Sequence, residues 1–155
     1  MEKKNGNFEV KSLNSPEEVR DFDKGKVELV NVGGVMIGRA VLQPGWKWSE
    51  SVKPLAGTKS CEAPHFQYHI SGTMRVRMDD GTENEIKAGD VSLLGKGHDA
   101  WVVGEEPVVV VDFQGMAHYA EKLAEKSKGA SRKTGTRRAQ SRQRRAGRPR
   151  AERRL

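Results

Sequence analysis

The chain has 155 residues and a formal net charge of +7, which is enough length for one domain but not for two well-packed ones. The charge is uneven: residues 128–155 hold 12 Lys and Arg against one acid, whereas 1–127 hold 16 basic and 20 acidic residues. A single cysteine excludes an intramolecular disulfide, and no apolar run approaches the ~20 residues that cross a bilayer. With no apolar signal segment at the start, these features predict a cytoplasmic protein without a membrane partner.

The first predicted element is a short helical turn. Ser15-Pro16-Glu17-Glu18 combines an N-cap, a proline at the first helical position and a capping-box glutamate. This indicates a helical turn within an N-terminal arm, 1–25.

Short β-rich runs separated by turns follow from residue 26 to residue 115. Strands are predicted at Val27–Val32, Val35–Leu42, Tyr68–Ser71, Thr73–Met78, Val91–Leu94, Ala100–Val103 and Val108–Phe113. Many short strands at regular turn spacing are typical of an all-β sandwich or closed barrel.

Two segments follow the predicted barrel. Apolar residues at helical spacing predict one C-terminal helix at 116–127 that packs on the barrel. Residues 128–155 are dominated by Arg, Ser, Gly, Ala and Pro, which predicts a disordered, Arg-rich tail. Its arginines could bind a polyanion through phosphate contacts, and a tail without a partner is the alternative. The arginines assigned to polyanion binding are Arg137, Arg138, Arg142, Arg144 and Arg145.

Several motifs resemble the cupin superfamily. Glu62–Gly72, followed by a strand and an Asp-Gly turn, resembles the first cupin motif, and Gly89–His98 resembles the second. Pro44–Trp48 and Gly97–Trp101 are similar to segments of small single-domain cupins. The resemblance covers about residues 27–113, and it implies a jelly-roll β-barrel that forms a homodimer.

The metal-ligand positions of the cupin motifs are only partly retained. In metal-dependent cupins the first motif holds a His-x-His pair and a glutamate, and the second holds a third histidine. Here the glutamate position falls on His65, the pair has no His-x-His match, and the third position falls on Ala100. The best remaining constellation is His65 with His98, helped by Cys61 or Glu62, since imidazole with thiolate or carboxylate suits Zn or Fe.

A ligand pocket is predicted from residues that share inward faces. Trp46 and Trp48 alternate with Glu50 beyond them, and the two-residue strand period brings His65, Gln67 and His69 to one face. The predicted pocket residues are Trp46, Trp48, Glu50, His65, Gln67, His69, His98 and Trp101. The alternatives are tryptophans that fill the core and histidines that bond within the interior.

Three functions are consistent with the sequence. The leading one is a barrel that binds a small molecule without a complete metal-ligand set. The second is a metal-dependent cupin enzyme, of dioxygenase or isomerase type, with one divalent Fe, Zn, Mn or Ni ion on His65 and His98. The third is a barrel scaffold whose basic tail binds nucleic acid non-specifically. The order of cysteine, histidine and acidic residues in the sequence does not suggest that Cys61 is a catalytic nucleophile.

Overall fold

A computed structural model describes residues 8–121, which form nine strands and two four-residue helices. The strands are β1 Glu18–Phe22, β2 Gly25–Val32, β3 Val35–Leu42, β4 His65–Ser71, β5 Thr73–Met78, β6 Glu83–Lys87, β7 Val91–Leu94, β8 His98–Val103 and β9 Val108–Asp112. The helices are α1 Trp48–Ser51 and α2 Lys53–Ala56. None of the helices in this range is long and apolar enough to span a membrane. The tail at 128–155, with Arg137, Arg138, Arg142, Arg144 and Arg145, lies outside the described residues.

The strands form two antiparallel sheets. The larger sheet has the order β1-β2-β3-β9-β4-β7, and the smaller has the order β6-β5-β8. Buried side chains from both sheets, among them Leu29, Val110, Met74 and Val76, belong to one hydrophobic cluster. The predicted all-β fold class is therefore confirmed, with two sheets packed around one core.

Strand β4 brings polar side chains into the interior. Its residues alternate between buried and exposed, so that His65, Gln67 and His69 face inward while Phe66 and Tyr68 face outward. The strand lies between β9 and β7 in the larger sheet. Its inward face is therefore surrounded by other strands, and its polar groups must find partners there.

The helical turn predicted at Ser15 is wrong. Residues Glu18–Phe22 form strand β1, which pairs with β2 along its whole length, and the Glu17 amide donates to the Leu29 carbonyl at 2.9 Å. The local capping signal is weaker than this long-range pairing, because tertiary context overrides helix propensity.

The described part of the predicted C-terminal helix, 116–121, forms turns instead, and 122–127 lie outside the described residues. Gly115 enters the segment with φ +87°, a left-handed conformation that favours glycine. The Arg20 guanidinium then occupies three of the segment's backbone carbonyls. Because a helix needs those carbonyls for its own hydrogen bonds, the segment folds as turns over the end of the barrel.

Candidate metal and ligand site

A small cavity of about 30 Å³ lies between the two sheets. This volume leaves room for a few water-sized groups rather than for a large organic molecule. The polar lining residues are Trp46, His65, Gln67, His98 and Tyr119, and the apolar ones are Ala40, Leu42, Trp48, Met74, Val76, Leu94, Ala100, Val110 and Met116.

Five of the eight predicted pocket residues line this cavity. They are Trp46, Trp48, His65, Gln67 and His98. They come from four places in the chain: the segment before α1, the start of α1, strand β4 and the first residue of β8. The cupin-like segments of the sequence therefore converge on one interior space.

Three of the predicted pocket residues do not line the cavity, and the first two are Glu50 and Trp101. Glu50 is exposed because the chain turns into α1 after Trp46, which ends the extended alternation on which the prediction relied. Trp101 is three residues from His98 on β8, and this odd spacing puts it on the opposite face. There its ring lies near Lys47 Nζ and Arg77 Cζ, at 5.7 and 5.5 Å from the ring centroid.

His69 is buried but also lies outside the cavity lining. It is four residues beyond His65, a separation of ~13 Å along a strand. Its Nε2 is 3.3 Å from Ser92 Oγ, and burial lowers the pKa of His69. His69 is thus a neutral histidine of the interior rather than a pocket residue.

Three candidate metal ligands meet beside the cavity. The ligand atoms of Cys61, His65 and His98 all lie within 4.8 Å of one another, and all three residues are buried. Cys61 Sγ is 3.6 Å from His65 Nε2, and the rings of the two histidines are 5.4 Å apart. Backbone bonds join Cys61 to the start of β8, since its amide donates to the His98 carbonyl at 2.8 Å. Glu62, the other proposed helper, is exposed.

Both histidines are held through Nδ1. His65 Nδ1 is 2.5 Å from Asp112 Oδ2, and His98 Nδ1 is 2.8 Å from the Gly95 carbonyl oxygen. Because both partners are acceptors, Nδ1 carries the proton in each ring and Nε2 remains for another partner. A carboxylate or carbonyl behind each imidazole is the usual support of metal-binding histidines.

The cluster is electrostatically coupled. Burial alone would raise the pKa of the Cys61 thiol, but hydrogen bonds with His65 and His98 outweigh it and lower the pKa to about 6. Burial alone would lower the pKa of His65, but its bonds to Asp112 and Cys61 outweigh this and raise the pKa to about 9. The coupling therefore favours a thiolate at Cys61, the form that binds metals, with a proton on His65 that a metal at Nε2 would displace.

Asp112 is a site residue that the sequence analysis missed. It is fully buried at the end of β9 and accepts bonds from the side chains of His65 and Gln67 and from the backbone amides of Phe66 and Gln114. A signal existed, because Asp112 shares the inward parity of Val108 and Val110 in an otherwise apolar strand.

The segment that closes the cavity was also missed. Arg20 is 8% exposed and donates to the backbone carbonyls of Met116, Ala117 and Tyr119 at 3.1, 3.1 and 2.7 Å. Met116 and Tyr119 line the cavity, and the Tyr119 ring lies edge-on to His65 at 5.5 Å between centroids. We call residues 116–121 the closing segment. No local sequence pattern links it to Arg20, which is about a hundred residues earlier.

No protein-family model matches the sequence, and no curated protein matches it. Among solved structures, the fold is similar to an oxalate decarboxylase–formate complex from Lactobacillus farciminis, with 16% identity, a TM-score of 0.48 and coverage of 72% of this chain and 35% of that one. A mutant of Bacillus subtilis oxalate decarboxylase gives 22% identity and a TM-score of 0.48 over 69% and 30% of the two chains. An RmlC-like cupin from Shewanella frigidimarina gives 16% identity and a TM-score of 0.46, with coverage of 64% of this chain and 85% of that one.

The chain thus combines an all-β fold of two antiparallel sheets with a buried Cys–His–His cluster beside its cavity. It spans about a third of the length of the two oxalate decarboxylases. At these identities no activity, metal or substrate carries over from them, because one fold hosts many functions.

Proposed function

We propose that this cupin barrel holds one divalent metal ion through Cys61, His65 and His98 and binds a small ligand in the adjoining cavity. The observation that carries the proposal is the convergence of three buried ligand atoms within 4.8 Å, with both imidazoles supported at Nδ1. This is the metal-dependent alternative from the sequence, with Cys61 as a full ligand rather than a helper.

The donor set favours particular metals. One thiolate and two imidazoles suit Zn(II) or Fe(II), whereas Mn(II) prefers carboxylate and water ligands. Three protein ligands leave a coordination position for a ligand or water, as in catalytic rather than structural zinc sites. The bound metal would supply a Lewis acid beside the cavity.

The protein's own groups prepare the site. Asp112 and the Gly95 carbonyl orient the two imidazoles, and the bonds of Cys61 with His65 and His98 lower the pKa of its thiol, which favours the thiolate form. The closing segment, held by Arg20, contributes Met116 and Tyr119 to the cavity wall. These features support metal binding at the Cys–His–His cluster.

Titration of the full-length, untagged chain with Co(II) tests the proposal. We expect one Co(II) per chain and a thiolate-to-cobalt charge-transfer band. Cys61→Ser should abolish the band, and His98→Ala should weaken binding by about 100-fold or more, because each removes a direct ligand.

His118→Ala is the matched control for these variants. The His118 side chain is 83% exposed and is not one of the three proposed ligands, so its loss should leave the titration unchanged. Binding that persists without a charge-transfer band, or with the band retained in Cys61→Ser, would contradict the proposed ligand set.

A cytoplasmic homodimer is part of the same proposal. Strand β7 is an edge strand, and its outward residues Val91 and Leu93 are 64% and 75% exposed beside the half-exposed Phe66 and Tyr68. An apolar patch next to an open sheet edge favours association, and a second copy of the chain is the partner that the cupin resemblance implies.

Sedimentation equilibrium checks the dimer. The full chain should sediment as a dimer and Leu93→Glu as a monomer, because the new charge would be buried without a partner. Val10→Glu, a comparable change at a residue 73% exposed in the N-terminal segment, should remain dimeric. A monomeric wild type, or a dimer that tolerates Leu93→Glu, would exclude this interface.

A further inference from the structure

Two buried polar atoms of residues that line the cavity lack a hydrogen-bond partner among the described residues. They are Trp46 Nε1 and Gln67 Oε1. Both residues line the cavity, and they are only 2% and 7% exposed. Buried polar groups in folded proteins are nearly always paired, so each of these atoms indicates a partner that enters the cavity.

The orientation of the Gln67 amide is determined by Asp112. Gln67 Nε2 lies 2.9 Å from Asp112 Oδ2, which also accepts from His65. A carboxylate accepts hydrogen bonds, so the amide nitrogen must be the atom that faces it. The amide oxygen is then left toward the cavity, where it can only accept. A partner of Gln67 must therefore carry an O–H or N–H donor.

Trp46 imposes the opposite requirement. An indole nitrogen donates and never accepts, so the partner of Trp46 Nε1 must carry an acceptor. Two backbone hydrogen bonds hold Trp46. Its amide donates to the Gln43 carbonyl at 3.0 Å, and its carbonyl accepts from the Val102 amide at 3.1 Å. The donor is thus presented at a defined position of the cavity wall.

Size and surroundings narrow the ligand further. The cavity of about 30 Å³ admits only a few heavy atoms, and most other wall residues are apolar, including Met74, Val76 and Val110. An anionic oxygen is the acceptor expected beside the metal site, and in this respect the inference rests on the proposed function.

We propose that the cavity recognises a small carboxylate that also carries a hydroxyl group. The hydroxyl donates to Gln67 Oε1, and a carboxylate oxygen accepts from Trp46 Nε1. Gln67 and Trp46 are then specificity-determining residues: the first selects for the hydroxyl, and the second holds the acceptor group.

Isothermal titration calorimetry of the full-length protein with glycolate and acetate tests this inference, in the metal-free and Co(II)-loaded forms. Acetate matches glycolate except for the hydroxyl. We expect glycolate to bind about tenfold or more tightly than acetate, since a site built to pair a hydroxyl rejects the analogue that lacks it. Gln67→Met should remove the preference, and Trp46→Phe should weaken both ligands. Gln43→Met, at an exposed glutamine, should change neither.

The outcomes separate this inference from the metal proposal. Glycolate selectivity that disappears in Gln67→Met supports the inference, even if the chain takes up no Co(II). Equal or undetectable binding of the two acids by a chain that does bind Co(II) overturns the inference and leaves the metal site standing. Selectivity that survives in a folded Gln67→Met protein also overturns it. If Gln67→Met does not fold, Trp46→Phe decides. Glycolate that binds Trp46→Phe as tightly as it binds the wild type then overturns the inference.

Discussion

Asp112→Ala is expected to lower the free energy of unfolding by about 3–5 kcal/mol, because it removes the acceptor from a buried, charged hydrogen-bond network. The carboxylate receives four donors: the side chains of His65 and Gln67 and the backbone amides of Phe66 and Gln114. Asp112 is fully buried, so its loss leaves four donors of the interior without their carboxylate acceptor. Urea denaturation of the metal-free protein measures the change.

The milder variant Asp112→Asn separates stability from metal support. It keeps the shape of the side chain but weakens the carboxylate support of His65 Nδ1, so metal affinity should fall by about 10- to 100-fold. Asp21→Ala, at an exposed acid of β1, should change stability by no more than about 0.5 kcal/mol. A loss below about 1 kcal/mol in Asp112→Ala would show that the network is not the support we describe.

Arg20→Met should be the second most damaging change, with an expected loss of about 3 kcal/mol or more. Arg20 is buried, its guanidinium satisfies three backbone carbonyls of the closing segment, and its Nε pairs with Glu18 Oε1 at 2.7 Å. Methionine fills similar space but offers no donor. The closing segment should therefore detach, and its amides should exchange hydrogen much faster than in the wild type.

Arg39→Met provides the comparison for Arg20. Arg39 bonds to Glu28 on the neighbouring strand β2 and to Asn14 and the Leu13 carbonyl in the segment before β1, so its loss should also destabilise the fold. It does not contact the closing segment, and exchange at 116–121 should remain slow. Equal exchange rates at 116–121 in both variants would disprove the specific role of Arg20.

Much of the barrel was predictable because its strands carry local signals. The two-residue alternation gave the inward face of His65, Gln67 and His69, and the predicted Asp-Gly turn follows β5 at Asp80-Gly81, whereas strand β6 after it was not predicted. The wrong secondary-structure predictions are those at segments whose conformation depends on contacts with distant parts of the chain. Strand β1 depends on pairing with β2, and the closing segment depends on Arg20.

The sequence predicted the candidate site about as well as it predicted the fold. Cys61, His65 and His98 were recognised as possible ligands from their residue types and motif positions, but only the fold brings Cys61 within 3.6 Å of His65. The sequence spacing could not show that His65 contacts both Cys61 and Asp112, because Asp112 is 47 residues beyond His65. The strand parity that placed Gln67 inward would also have excluded Trp101, had it been applied to β8.

X-ray absorption at the metal edge of the full-length chain, purified without a tag or chelator, tests the proposed metal centre most directly. For zinc we predict one sulfur at about 2.3 Å and two imidazole nitrogens at about 2.0–2.1 Å, with the sulfur lost in Cys61→Ser. A chain without stoichiometric metal after reconstitution, or a metal surrounded by nitrogen and oxygen alone, would contradict the Cys–His–His site.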